Sequence, residues 1–220
     1  YSPTSLGAAT DTVRLTYFDG ESTQSLTRDL AGTGVTVLLS ISDGPTYDFS
    51  SQFVSTSTDK TFTITNTGTG GASLLGEGTP VLSSVFDFKG GTFPGTDGTC
   101  GTSLAALGTC TIVVSFAPLT GQVYSDTLTI GYSDGITSFE TTRALTGTGV
   151  AAAALSLSDG ATYSFGSVYK NTSTDKSFTV TNSGGTSATS VGAGSPAFIS
   201  GYTFKGGSFP GTGGTCAATI

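Results

Sequence analysis

The sequence repeats itself at an offset of 116 residues. Aligned without gaps, residues 39–104 and 155–220 are identical at 35 of 66 positions. Three pairs of segments carry the repeat: LSISDGPTYDF (39–49) with LSLSDGATYSF (155–165), STSTDKTFTITNTG (55–68) with NTSTDKSFTVTNSG (171–184), and FKGGTFPGTDGTC (88–100) with FKGGSFPGTGGTC (204–216). Self-similarity at a constant offset indicates that the chain is built from copies of one structural unit.

The N-terminal residues 1–35 also belong to this repeat. At an offset of 115, DTVRLTYFDG aligns with DTLTIGYSDG at 126–135, and TRDLAGTGV aligns with TRALTGTGV at 142–150. A period of about 115 residues is too long for a solenoid and close to the ~100 residues of an immunoglobulin-like sandwich. We therefore expect three parts: the C-terminal part of a truncated repeat (1–35), a complete repeat (36–150) and the N-terminal part of a following repeat (151–220).

Two explanations account for the partial copies. In the first, the chain is a slice of a longer tandem array, since domains normally fold as whole units. In the second, the incomplete sandwich of one subunit is completed by strands of its neighbour, as in donor-strand complementation. Joining the tail of one copy to the head of another would lack only the residues equivalent to 105–115. Both explanations predict end-to-end assemblies.

The residue pattern predicts an all-β fold. The chain has 33 Gly and only 10% charged residues, and no window has sustained helical periodicity. The segments 61–65 and 177–181 alternate apolar and hydroxyl residues, as half-buried strands do. Asp134-Gly135 is a hairpin signal between 126–132 and 136–147. We expect tandem seven-stranded β-sandwiches with a core formed by Phe49, Phe62, Ile64, Ile112, Val114, Leu128, Ile130 and Leu145.

Composition argues against several classes of function. Because the chain has no His, Ser-His-Asp and Cys-His catalysis and His-bearing zinc sites are excluded. A net charge of −7, with no basic cluster, has the wrong sign for binding nucleic acid or an anionic membrane. No apolar run approaches the ~20 residues of a membrane span. A hydrolase would need a pair of acids, and Glu21, Glu77 and Glu140 stand apart in the sequence. We therefore expect that this protein is not an enzyme.

Two cysteines lie close together in the complete repeat. Cys100 and Cys110 are separated by nine small or apolar residues, and we expect a disulfide, with two buried thiols as the alternative. Cys216 aligns with Cys100, and its expected partner would lie beyond Ile220. Since disulfides persist in oxidising surroundings, this pairing predicts an extracellular protein, secreted or attached to a cell surface.

No cofactor is expected. Calcium is the best candidate by composition, but Asp43, Asp59, Asp97 and Asp134 are scattered singly and form no DxDxDG loop. An intramolecular isopeptide bond would require Lys60 or Lys89 beside Asn66 and a carboxylate, and nothing in the sequence selects it. The sequon at Asn171 is absent from the equivalent position, Ser55, and we treat it as unmodified.

The loop FKGG(T/S)FPGT is the most distinctive motif, since both copies keep it in what we interpret as a non-strand stretch. It could dock on a neighbouring repeat or partner, or its two phenylalanines could cap the end of the sandwich above Cys100. An exposed Phe93 would indicate an adhesive loop, and a Phe93 buried against another repeat would indicate a fibre contact. The candidate contact residues are Phe88, Lys89, Phe93 and Pro94, with Phe204, Lys205, Phe209 and Pro210 in the second copy.

The order of these motifs resembles a known family. YDFSSQF, STSTDKTFTITNTG, LGTCTIVVSFAP, YSDTLTI and LTGTGV are similar to the bacterial choice-of-anchor D repeat, which is related to the abnormal-spindle/hydin group of immunoglobulin-like domains. The resemblance covers essentially the whole chain, and the chain departs from it by the FKGGTFPGTDG insertion. It implies seven-stranded sandwiches in long, secreted, surface-attached bacterial proteins that are adhesive or structural, and it transfers no catalytic residues.

The sequence therefore predicts a structural component of an extracellular bacterial fibre, sheath or stalk. Its partners would be neighbouring copies of the same repeat. The alternative is an adhesin whose repeats serve as a spacer, with a host or cell-surface ligand recognised by loops or by a tip domain outside this sequence.

Overall fold

The computed structural model describes residues 1–220, and every regular element is a β-strand. The chain divides into two compact units: Tyr1–Ser50, Ser57–Ala117 and Tyr124–Gly147 form the first, and Ser51–Thr56, Pro118–Val123 and Thr148–Ile220 form the second. The strands are β1 (Gly7–Phe18), β2 (Thr23–Gly34), β3 (Leu39–Ile41), β4 (Thr46–Phe53), β5 (Thr58–Asn66), β6 (Ala72–Glu77), β7 (Phe86–Phe88), β8 (Ser103–Leu104), β9 (Thr109–Phe116), β10 (Val123–Ser133), β11 (Ser138–Val150), β12 (Leu155–Leu157) and β13 (Val180–Asn182).

Two sheets lie between residues 39 and 150. One has the order β4-β11-β10-β6-β8 and the other has the order β3-β5-β9-β7. Their apolar side chains form one core cluster, so this region is a two-sheet sandwich. The remaining strands form two-stranded sheets, with β1 pairing β2 and β12 pairing β13.

The alternating pattern of β5 explains its position. Phe62 and Ile64 point into the core and are fully buried, and they lie opposite Ile112 and Cys110 of β9 in an antiparallel register. β9 pairs with β5 on one side and β7 on the other, and Cys110, Ile112, Val114 and Phe116 face the core. Its other face carries Thr109, Thr111, Val113 and Ser115, so β9 alternates as an antiparallel strand with one face on the core does.

The eight predicted core residues are all buried, which confirms that part of the prediction. The structure adds an aromatic cluster in which Phe116 packs on Phe86 and Phe49, with ring centroids 4.8 and 5.7 Å apart. Phe86 lies in a segment that carried no strand signal. Aromatic side chains contribute the largest apolar areas to a core, so this cluster is a main source of stability.

The complete repeat has nine strands where the sequence predicted about seven. The additional short strands include β7 and β8, which arise in a Gly-rich stretch interpreted as loop. Strands of two or three residues are too short to show alternation, and they form here because β9 and β6 offer them hydrogen-bonding edges. In the following copy, the predicted strand at 177–181 is shortened to Val180–Asn182.

A buried asparagine closes the turn after β5. The Asn66 side-chain amide donates to the carbonyls of Gly70, Leu104 and Ala105 at 2.9, 3.3 and 3.1 Å, and its Oδ1 accepts from the amide of Gly68. These bonds satisfy the buried amide and explain the Thr-Asn-x-Gly motif. They leave no place for an isopeptide partner.

Asn182 repeats this arrangement in the second unit. Its amide donates to the carbonyls of Thr186 and Ile220, and its Oδ1 accepts from Gly184. The turn is thus a property of the repeated sequence.

An ion pair connects the turn after β3 to β5. Lys60 Nζ lies 2.7 Å from Asp43 Oδ1 and 4.6 Å from the centre of the Tyr47 ring. The hydrogen bond from Lys60, followed by one from Ser42, lowers the pKa of Asp43 below its ordinary value of 3.8. Lys176 and Asp159 form the same 2.7 Å pair in the second unit.

This ion pair predicts a loss of stability in acid. Because the folded-state pKa of Asp43 is depressed, its contribution is present above about pH 3.8 and is lost as the pH falls through the folded value. We expect Asp43→Asn to reduce the free energy of unfolding at pH 7 by at most about 1 kcal/mol and to flatten its decline below pH 4. Urea unfolding between pH 2.5 and 7 measures both effects. Lys60→Gln, which removes the cation and keeps the Asp43 carboxylate, should flatten the decline as well, and an unchanged acid limb in that variant would contradict the assignment.

Candidate interaction surfaces

The structure joins Cys100 to Cys110, with their Cα atoms 4.9 Å apart and both side chains buried. The bond ties the end of the FKGG segment to the start of β9. Thr99 and Thr111 add a hydroxyl pair at 3.0 Å beside it. Cys216 is free. A disulfide of this kind indicates oxidising surroundings.

Removing the disulfide should destabilise the complete repeat. We expect the double variant Cys100→Ala/Cys110→Ala to lose about 2–3 kcal/mol of unfolding free energy, from the loop-closure entropy regained by the unfolded chain. Thermal or urea unfolding would measure it, with Cys216→Ser as the matched control. If the control lost as much as the double variant, the stabilisation could not be assigned to this bond.

The FKGG loop, defined as residues 88–100, folds back on its own unit. Phe88 is the last residue of β7 and is buried, which corrects the interpretation of this stretch as wholly non-strand. Phe93 is half-buried and meets Phe88 edge to face, with centroids 5.5 Å apart. Half-buried Pro94 accepts a 2.8 Å hydrogen bond from the amide of Val113, and the amide of Lys89 donates to the Val113 carbonyl. The loop therefore caps the edge of its own sheet.

Charges hold the loop in place. Lys89 Nζ lies 2.9 Å from Asp97 Oδ2 and 3.3 Å from Asp59 Oδ2, and these carboxylates raise the pKa of Lys89, Asp97 most strongly. The hydroxyl of Ser115, with a smaller contribution from Lys89, lowers the pKa of Asp59. With Asp43 paired to Lys60, three of the four aspartates weighed as calcium ligands face an ammonium group, which repels a cation.

The second copy of the loop has the same local shape. Phe204 and Phe209 are half-buried and meet edge to face at 5.5 Å, and Lys205 pairs with Asp175 at 2.7 Å. Pro210 is exposed. The ring contact joins residues five positions apart, whereas the ion pair joins residues 30 positions apart.

Gly95 is the tightest point between the loop and β9. Its φ is +88°, and a Cβ there would collide with the carbonyl oxygen of Val113. Gly91 has a similar φ of +84°, but its nearest neighbour would be Asp87 Oδ2 at 3.9 Å. Both positions have a left-handed backbone that favours glycine, but only at Gly95 would an added Cβ collide with a neighbouring atom.

This difference predicts unequal effects of two alanine substitutions. Gly91→Ala should cost about 1–2 kcal/mol, the strain of a left-handed backbone, whereas Gly95→Ala should cost more because β9 or the loop must also move. Comparing their urea unfolding curves tests this. Equal losses would mean that the loop does not press against β9.

An open concavity of about 510 Å³ lies on the β6-β10-β11 side of the first unit. It brings together Glu77 and Glu140, which the sequence analysis treated as isolated acids, beside the stacked rings of Tyr132 and Phe139. Each carboxylate accepts a backbone hydrogen bond: Glu77 from Leu82 at 3.0 Å, and Glu140 from Thr79 at 3.3 Å. Both acids therefore help to hold the segment after β6.

Other candidate sites remain dispersed. Glu21 lies at the exposed turn between β1 and β2, where its amide donates to Asp19 Oδ1. No group of three or more His, Cys, Asp or Glu side chains is placed to hold a metal ion. The structure has no helix long and apolar enough to cross a membrane.

The β1–β2 hairpin displays residues that are core in the complete repeat. Val13, Leu15 and Leu30 are 53%, 61% and 46% exposed. Their equivalents at an offset of 115, Leu128, Ile130 and Leu145, are fully buried. We call the face formed by Val13, Leu15 and Leu30 the hairpin face.

The segment 151–220 exposes apolar residues that are equivalent to core residues of β3 and β5. Leu157 and Phe178 are 65% and 41% exposed, whereas their equivalents Ile41 and Phe62 are almost fully buried. Leu155 is 44% exposed, and its equivalent Leu39 is almost fully buried. We call the face formed by Leu155, Leu157 and Phe178 the half-sandwich face.

Sequence reasoning overlooked a buried arginine in the complete repeat. Arg143 donates from Nη2 to the Ile41 carbonyl, and its Nε is buried without a partner. Its recurrence as Arg28 in TRDL and TRAL was the available signal. The buried Arg143 guanidinium marks how β11 faces β3, whereas Arg28 at the equivalent position is exposed.

Comparisons with known proteins identify no family. No protein-family model matches the sequence, and no curated protein matches it. Several solved structures show partial similarity. A Vibrio cholerae protease, VesB, shares 16% identity at a TM-score of 0.41, over 50% of this chain and 31% of the protease chain.

The ASH/PapD-like domain 7 of human CEP192 shares 13% identity at a TM-score of 0.38, over 51% of this chain and 84% of that domain. A protein of unknown function from Porphyromonas gingivalis W83 shares 13% identity at a TM-score of 0.36, over 67% of this chain and 68% of that chain. All three TM-scores lie below 0.5, so none of these structures assigns a fold family to this chain.

Proposed function

We propose that this chain is a structural segment of an extracellular bacterial fibre, sheath or stalk, composed of tandem immunoglobulin-like repeats that join end to end. The observation that carries the proposal is the two-sheet sandwich between residues 39 and 150, whose sequence returns at a constant offset of 116 residues. A domain-sized unit that is repeated along one chain is typical of tandem arrays.

Three further features support a mechanical role. Load along the chain would pass through antiparallel ladders such as the eight paired positions between β5 and β9. The disulfide closes the segment beside the central strand and fits oxidising surroundings outside the cell. The resemblance to choice-of-anchor D repeats points to the same surface-attached setting.

The placement of the FKGG loop favours structure over ligand recognition. Phe88 is buried and Phe93 packs on it, so the loop offers no protruding aromatic to a ligand. The carboxylates of Glu77 and Glu140 hold backbone amides, which favours a structural role for them as well. We therefore propose packing functions for both, with no catalytic step.

Electron microscopy of native material, with antibodies against residues 36–150, tests the proposal. We expect labelled filaments or a surface layer outside the cell, and mass spectrometry without reducing agent should find the Cys100–Cys110 peptide linked. Diffuse labelling inside the cytoplasm, with reduced cysteines, would contradict it. Antibodies blocked with the purified chain provide the control.

A further inference from the structure

We propose that the Cys100–Cys110 disulfide is a redox latch for the FKGG loop. With the bond closed, the loop seals the edge of β9. When both sulfurs are thiols, the loop opens while the two-sheet sandwich stays folded, and the edge of β9 becomes accessible. The latch belongs to a single repeat, so it goes beyond the proposed function and does not depend on it.

The loop bonds to backbone groups of β9 that a neighbouring strand would otherwise use. The amide of Lys89 donates to the Val113 carbonyl at 2.9 Å, and the Val113 amide donates to the Pro94 carbonyl at 2.8 Å. The amide of Thr99 donates to the Thr111 carbonyl at 2.8 Å, and the Thr111 amide donates to the Thr99 hydroxyl at 2.9 Å. Because uncovered N–H and C=O groups on a strand edge pair readily with other chains, the loop withholds such a surface.

Few apolar contacts hold the loop between its two ends. Phe88 at one end and Cys100 at the other are buried. Between them, the only large apolar side chains are Phe93 and Pro94, and both are half-buried. The ion pairs of Lys89 lie at the surface, where such pairs contribute little. Segments of this kind open at low free-energy cost, so the disulfide is the restraint that keeps the Cys100 end attached.

Closing the latch is a two-electron oxidation. The two thiols lose two protons and two electrons as the S–S bond forms, and the oxidant, a disulfide-containing molecule, is reduced to two thiols. The loop brings the cysteines together: the Cys100 amide donates to the carbonyl of Thr111, the neighbour of Cys110. Because both cysteine side chains are buried, a small thiol reaches the closed bond slowly, and the latch stays closed in oxidising surroundings.

The sandwich itself is held on the other side of β9. β9 pairs with β5 at eight positions, and this ladder lies on the side of β9 opposite to the loop and β7. Leu128, Ile130 and Leu145 of the facing sheet pack in the same core cluster as Ile112 and contact no part of the ladder to the loop. Loss of the latch should therefore open the loop locally and leave this core in place.

Limited trypsin digestion of the folded chain tests the latch, because Lys89 lies in the loop and Arg143 is buried in β11. The chain carries Cys216→Ser, so that only the latch cysteines can react. An oxidised sample is compared with one refolded and kept in excess dithiothreitol, and with the Cys100→Ala/Cys110→Ala variant. We expect the rate of cleavage after Lys89, divided by the rate after Arg143, to rise about 10-fold or more in both thiol-free-bond samples.

Amide hydrogen exchange gives a second readout. The amides of Thr111 and Val113 face the loop, and since successive amides of a strand point to alternate sides, the amide of Ile112 faces β5. In the dithiothreitol sample, we expect Thr111 and Val113 to exchange about 10-fold faster or more relative to Ile112 than they do in the oxidised chain.

Leu128→Ala is the matched control, since it removes a buried side chain from the facing sheet and destabilises the whole sandwich. With its disulfide closed, this variant should be cleaved faster after Lys89 and Arg143 alike, with an unchanged ratio. A ratio that is also unchanged when the bond is absent, or unchanged relative exchange of Thr111 and Val113, would overturn the latch. Native filaments could be present with either result, so failure of the latch is distinguishable from failure of the proposed function.

Discussion

The pairing of β9 with β5 and β7 is the interaction on which the rest of the complete repeat depends. β9 contributes Ile112, Val114 and Phe116 to the core. Cys110 of β9 forms the disulfide, and the backbone N–H and C=O groups of Val113 form hydrogen bonds with the FKGG loop. In residues 151–220 two strands of three residues form, and Leu157 and Phe178, the equivalents of Ile41 and Phe62, are exposed.

The same dependence explains the division between local and long-range order. The bonds of Asn182 to Thr186 and Gly184 and the Phe204–Phe209 contact join residues at most five positions apart, and the Lys176–Asp159 pair joins residues 17 positions apart. The bond from Asn182 to Ile220 spans 38 positions. Sheet pairing and core burial need the distant strand. A repeat of this kind is therefore a set of locally stable turns that become a sandwich only when the apolar faces of all its strands meet.

The FKGG loop depends on β9 as well. Its backbone bonds to Val113, Phe93 packs against Phe88, and Gly95 lies beside the Val113 carbonyl, so the loop seals an edge of the sheet that contains β9.

The sequence by itself determined the unit of repetition, the all-β class and the inward residues of β5, β9 and β10, because these follow from identity at a constant offset and from period-two alternation. It also indicated the Cys100–Cys110 pair from spacing. Only the tertiary structure decided that Phe88 belongs to a strand, that Glu77 and Glu140 share one concavity, and that Arg143 is buried against Ile41. Each of these depends on hydrogen-bonding edges or apolar cover supplied by strands tens of residues away, and local sequence patterns carry no record of such contacts.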